Sequence, residues 1–171
     1  ESGKSTFAAY LTLPDGSVEA LDLRSLKGLG SYEVNRECTM KGTHSMRFLL
    51  NGNDIMNSPV DFYVKPDKAV ATKSKLYPPE EPPAVNQQCV LKLESIDKFG
   101  NRLDKGGAKI DPRSSGPGVS PAVYEDHGDG TYTISFTAAV VGDARVSVRI
   151  DNVELPPMKV VFVKPAATAA A

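Results

Sequence analysis

Asp126-His127-Gly128-Asp129-Gly130-Thr131-Tyr132-Thr133-Ile134-Ser135-Phe136-Thr137 is the stretch that decides the fold. Tyr132, Ile134 and Phe136 fall on one side of an extended chain, and Thr133, Ser135 and Thr137 on the other. A period of two is the signature of a half-buried strand with one solvated face, as in antiparallel sheets. The glycine-rich residues before it read as a tight turn. Working outward, Ala144, Val146, Val148 and Ile150 alternate with Arg145, Ser147 and Arg149, and Met158, Val160 and Phe162 continue the pattern. Asp151-Asn152 supplies another turn. No segment carries a long 3.6-residue periodicity, so the expected class is all-β with short strands packed as a β-sandwich.

The chain has 171 residues, of which 40% are hydrophobic and 24% charged, which fits one or two soluble globular domains. Lys and Arg total 20 against 21 for Asp and Glu, a formal net charge of -1. Nucleic-acid binding needs a basic excess that is lacking here. No apolar run approaches the roughly 18 residues that cross a bilayer, so no membrane span is expected in this segment. Residues 1–10 carry no signal-peptide core.

A shift of 100 positions superposes the two halves. Gly30-Ser31-Tyr32-Glu33-Val34 falls on Gly130-Thr131-Tyr132-Thr133-Ile134, Gly42 on Gly142, and Met46, Phe48 and Leu50 on Val146, Val148 and Ile150. Ile55 falls on Leu155, and after a small gap Pro59-Val60-Asp61-Phe62 matches Pro157-Met158-Lys159-Val160. The expected organisation is therefore tandem: residues 1–66 form one copy, 67–165 a second, and 166–171 a linker or tail. Under the same shift Glu1 meets Asn101, past the second strand of the unit. The first copy is expected to lack its first two strands, as a piece of a longer protein or completed by another segment. Tyr77-Pro78-Pro79-Glu80-Glu81-Pro82-Pro83 favours polyproline II within or just after the first strand of the second copy, with Glu80 and Glu81 as solvated charge.

The second copy reads Asp97-Lys98-Phe99-Gly100-Asn101-Arg102, Gly106-Gly107, the Asp126–Phe136 turn and strand, Val141-Gly142-Asp143, then Val146 to Ile150. In order and spacing it resembles a filamin-type immunoglobulin-like repeat. The resemblance covers 67–165 closely and 5–66 more loosely, where the turn is Lys27-Gly28-Leu29-Gly30 and Arg36 stands in the place of Phe136. It implies tandem immunoglobulin-like antiparallel β-sandwiches, used as spacers and docking platforms. It also implies that ligands add a strand beside strand C, in the groove between strands C and D. By position strand C is about 108–111 in the second copy and 7–13 in the first, and strand D about 122–125 and 18–23. The docking residues this implies are Phe7, Ala9, Leu11, Val18, Ala20, Ala108, Ile110 and Val123.

Catalytic and metal chemistry find little support. Gly3-Lys4-Ser5-Thr6 resembles the end of a phosphate-binding loop, but Phe7 to Leu13 reads as a strand where that loop needs a helix. Asp126 and Asp129 are explained by the turn and lack the EF-hand order. His44 and His127 are the only histidines, and Cys38 and Cys89 the only cysteines. The alternation places Cys89 inward with Leu91 and Leu93, so both thiols are expected reduced and packed as small hydrophobes. No nucleophile, base and orienting group come together. No cofactor, metal or small-molecule substrate is expected.

Asn-x-Ser/Thr is absent and the cysteines lack an immunoglobulin-type pairing, which points to the cytoplasm. The expectation is a non-enzymatic scaffold protein of a cytoskeletal assembly, either an actin crosslinker or an axonemal component. Its partners are proteins bound at exposed β-edges. The alternative is a cell-surface or gamete adhesion ectodomain.

Overall fold

The computed structural model describes residues 5–26 and 30–166. Gly3-Lys4, the turn residues Lys27-Gly28-Leu29 and the Ala-rich 167–171 lie outside the described residues. All regular elements among the described residues are strands, and their sheets are antiparallel. The chain divides into two compact units, 1–65 and 66–171.

The first unit contains β1 (Phe7–Thr12), β2 (Val18–Leu21), β3 (Arg24–Leu26), β4 (Ser31–Glu33), β5 (Gly42–Leu50), β6 (Asn53–Asp54) and β7 (Val60–Val64). β5 is central and pairs with β1, β6 and β7. β2 extends this sheet beyond β1, while β3 and β4 form a separate hairpin.

The second unit contains β8 (Lys75–Tyr77), β9 (Gln88–Glu94), β10 (Ile110–Ser115), β11 (Val123–Asp126), β12 (Thr131–Thr137), β13 (Gly142–Ile150), β14 (Val153–Glu154) and β15 (Met158–Phe162). One sheet runs β11-β12-β9-β8. In the other, β13 pairs with β10 on one side and with β14 and β15 on the other. Between the sheets, Leu91, Leu93, Tyr132, Ile134, Val146, Val148 and Phe162 are each 0% exposed. They are the residues that the alternation turns inward. Each such side chain contributes roughly 1.5–3 kcal/mol through burial.

Both units turn their longest strand into the next by a two-residue loop in the left-handed region. Asn51 and Gly52 have φ of 49° and 81°, and Asp151 and Asn152 of 49° and 68°. Such loops match the right-handed twist of the flanking strands, and Asn, Asp and Gly tolerate them best. These two loops stand 100 positions apart in the sequence.

A polar hub holds one end of the second sandwich. Asp97 is 0% exposed. Its carboxylate accepts from the Asp67 N–H at 3.0 Å, the Phe99 N–H at 2.9 Å, the Asn101 N–H at 2.8 Å and the Asn101 side-chain amide at 2.9 Å. Burial pushes the pKa up, but the hydrogen bonds from Asn101, Asp67 and Phe99 together outweigh it and hold the group below its ordinary value. This is the physical content of the Asp97-Lys98-Phe99-Gly100-Asn101 motif. It ties the entry of the unit to the loop after β9. Nearby, Gly130 has φ of +82°, and a Cβ there would collide with the Leu103 carbonyl oxygen.

The first unit is less fully covered. Met46, Phe48 and Leu50 are half-buried, whereas Val146, Val148 and Ile150 are buried. Ile55 is 39% exposed against 2% for Leu155. The reason is that β8 and β9, which roof this face in the second unit, have no counterpart among the described residues of the first. β4 also stops at Glu33, well short of the length of β12. Arg36, in the place of Phe136, instead reaches Glu19 on β2 at 2.7 Å. Only Ala9, Leu11 and His44 are buried there among the described residues.

Val148→Asp leaves an unpaired charge between the sheets and should cost the second unit about 3–5 kcal/mol in a denaturant titration. An unmoved transition would mean that β13 is out of register by one residue. Asp97→Asn should lower stability at pH 7 by about 1–3 kcal/mol. Because the folded pKa is depressed, the stability due to Asp97 is present above about pH 4 and is lost as pH falls through the folded value. The gap between variant and parent should therefore narrow in acid. A gap that stayed constant to pH 2 would show that ionised Asp97 does not stabilise the fold.

Candidate protein-docking edges

In an antiparallel pair, residues alternate between those bonded to the neighbouring strand and those whose N–H and C=O face away from it. One bond therefore sets the parity of a whole strand. In the first unit, the Leu13 N–H donates to the Ser17 carbonyl at 2.8 Å, in register with Leu11 opposite Glu19 and Ala9 opposite Leu21. Glu19 and Leu21 thus bond to β1, and Val18 and Ala20 direct their peptide groups to the open side. No described residue pairs with β2 on that side. Val18 is 61% exposed.

This placement differs from the expected one. The resemblance implies strand D at about 18–23, across a groove from strand C. Instead β2 lies against β1, the first unit's strand C, and covers its edge. The strand D position passes to β3, which pairs with β4 much as β11 pairs with β12. Alternating residues with one polar and one apolar face suit either sheet, so period alone does not choose between them. The peptide groups of Ala9 and Leu11 are consequently taken by β2, and their side chains are core. Phe7 opens β1 opposite Leu50 and precedes only the stretch that pairs with β2. Its ring lies 4.2 Å, centroid to centroid, from that of Tyr32.

In the second unit, strand C is β10 at Ile110–Ser115, somewhat later than 108–111. Ala108 lies before the strand, and its N–H donates to the hydroxyl of buried Tyr132 at 3.1 Å. The Asp151 N–H donates to the Lys109 carbonyl at 3.0 Å, in register with Ile110 opposite Ile150. Lys109, Asp111, Arg113 and Ser115 therefore face β13. Ile110, Pro112 and Ser114 face the open edge. Pro112 has no N–H, so the middle of that edge offers a carbonyl alone. This device against edge pairing was legible as a proline inside an extended run, and the expected docking residues omitted it. Ile110 is 5% exposed, and Val123 on β11 is 60% exposed. β10 and β11 approach each other at that margin of the sandwich.

The turn aspartates and the two histidines have structural partners. Asp126 accepts from Gly128 N–H at 2.8 Å and Gly107 N–H at 2.7 Å, and Asp129 from the Thr131 N–H and hydroxyl at 2.9 and 2.6 Å. His127 sits on the turn with Nε2 at 2.8 Å from the Thr133 hydroxyl. His44 is buried, with Nδ1 at 3.2 Å from the Gly42 carbonyl and its ring stacked on Phe62. Burial pushes the Cys89 thiol up to about 11, which removes it as a nucleophile at neutral pH.

The Filamin/ABP280 repeat family model matches residues 65–158. Filamin-C of Mus musculus is 27% identical over 153 residues, which cover 90% of this chain and 5% of that protein. Among solved structures, the Lin-41 filamin domain superposes with a TM-score of 0.50 at 12% identity, over 57% of this chain and 99% of that domain. Yersinia pseudotuberculosis InvD superposes with a TM-score of 0.58 at 20% identity, over 98% of this chain and 50% of its own. At such identities these two likenesses concern the fold alone.

Proposed function

Because this chain belongs to the Filamin/ABP280 repeat family, we propose that it is a non-enzymatic scaffold segment of a cytoskeletal assembly, with units in series as spacers and exposed edges as docking sites for protein strands. The observation that carries the docking reading is the open edge of β2, where Val18 and Ala20 leave N–H and C=O groups unpaired among the described residues and no proline intervenes. A sheet edge of this kind is a template for another extended chain. The edge of β10 is a second such site, interrupted by Pro112. The cytoskeletal setting rests on the likeness to Filamin-C, of which the chain spans 5%. The assembly is a filament network, actin-based or axonemal.

Ala20→Pro tests the docking edge. It removes an N–H that points away from β1, so the ladder beneath is kept. Retention of proteins from a cytoskeletal extract on the immobilised chain should fall about fivefold, on the order of one net hydrogen bond, with unchanged melting. Pro112→Ala should raise retention through β10 by a similar factor. Retention indifferent to both would remove strand addition from the function. Enrichment from a cell-surface fraction instead would favour the adhesion alternative over the cytoskeleton.

A further inference from the structure

We propose a second kind of docking site in the 66–171 unit: a groove between the proline-rich arch 78–83 and the edge of β9, which takes an extended basic peptide segment. The Ser95 N–H donates to the Gly130 carbonyl at 3.0 Å, in register with Glu94 opposite Thr131. That bond sets the parity of β9: Cys89, Leu91 and Leu93 bond to β12, and Gln88, Val90, Lys92 and Glu94 face β8. β8 pairs only with Lys92, Leu93 and Glu94. Continued in register, it would set Pro79 opposite Val90 and Glu81 opposite Gln88. Pro79 has no N–H to offer.

The chain instead leaves β9 at Pro78 and crosses to the other sheet. There the Val163 N–H donates to the Pro83 carbonyl and the Val85 N–H to the Val163 carbonyl, both at 3.0 Å. The peptide groups of Gln88 and Val90 are left without a strand beside them among the described residues. The space between arch and edge measures about 1030 Å³ and is lined by Tyr77, the four arch prolines and Val90. Val90 is 48% exposed and Tyr77 37%.

Charge selects the occupant. Lys92 is taken by Glu94 at 2.8 Å, and Glu94 also accepts from the Tyr77 hydroxyl at 2.9 Å, which closes one end of the groove. Glu80 and Glu81 on the arch are exposed and ion-paired with no described residue. The lining therefore carries an excess of two negative charges: three carboxylates against one ammonium. A strand with Lys or Arg at alternate positions would pair its backbone with Gln88 and Val90. It would lay its aliphatic stems on the proline rings and set its cations against Glu80 and Glu81. An acidic strand would meet repulsion.

The test is an amide NMR titration of the whole 171-residue chain with the synthetic peptide Ac-VKVKVKV-NH2 and its acidic counterpart Ac-VEVEVEV-NH2. The basic peptide should shift the Gln88 and Val90 amides and slow their hydrogen exchange, and the acidic one should not. Glu80→Gln with Glu81→Gln, both on the surface, should weaken binding about fivefold at low salt. Val90→Pro should abolish the response at Gln88 while β12 stays paired. Equal binding of both peptides, or shifts confined to β2 and β10, would overturn the site. The latter result would leave the β2 edge standing, so this proposal and the strand-addition reading fail separately.

Discussion

The pleat of a β-strand ties two directions together. A residue whose side chain points into the sandwich sends its peptide groups to one lateral side, and its neighbours send theirs to the other. Core and edge are therefore not independent in this protein. Ile110, Pro112 and Ser114 of β10 share both an inward side-chain direction and the open edge. In β2 the relation is reversed: Val18 and Ala20 point outward and own the open edge, while Glu19 and Leu21 face inward and hold β1. A one-residue slip in either strand would exchange buried for exposed faces and bonded for free peptide groups at once.

The two units show how one pattern responds to different surroundings. In the second, β8 and β9 roof the face made by β10 and β13, and the alternation becomes a closed core. In the first, the corresponding face is partly covered by the β3–β4 hairpin and by the segment carrying Arg36. An arginine cannot occupy the place of Phe136 in an apolar interior without a partner. It lies at the half-exposed margin on Glu19, which the pairing of β2 with β1 brings to the same face. β2 thus both covers the edge of strand C and supplies the anion.

Proline works in opposite senses at two edges. Pro112 replaces one donor along β10 and weakens that edge as a template. Pro78 and Pro79 end the pairing of β8 and uncover part of β9, because the arch has no N–H to continue the ladder there. The outcome depends on whether the missing donor belongs to the edge strand itself or to the strand that would have covered it.

Much of this was legible in the chain. The alternation in 131–137 and 144–150 and the turn at Asp151-Asn152 determined the class, the strands of those segments and their inward residues, because side-chain direction and turn conformation are local properties of covalent geometry. The motif around Asp97 was legible as a pattern, though its four donors, one of them from Asp67 thirty residues away, were not. What only the tertiary structure decided is adjacency. It placed 18–21 beside β1 and set Pro112 on the open side of β10. It also left Gln88 and Val90 without a neighbouring strand. Which edge a strand finds depends on segments distant in sequence and on the register they adopt together, and period two is compatible with every one of those choices.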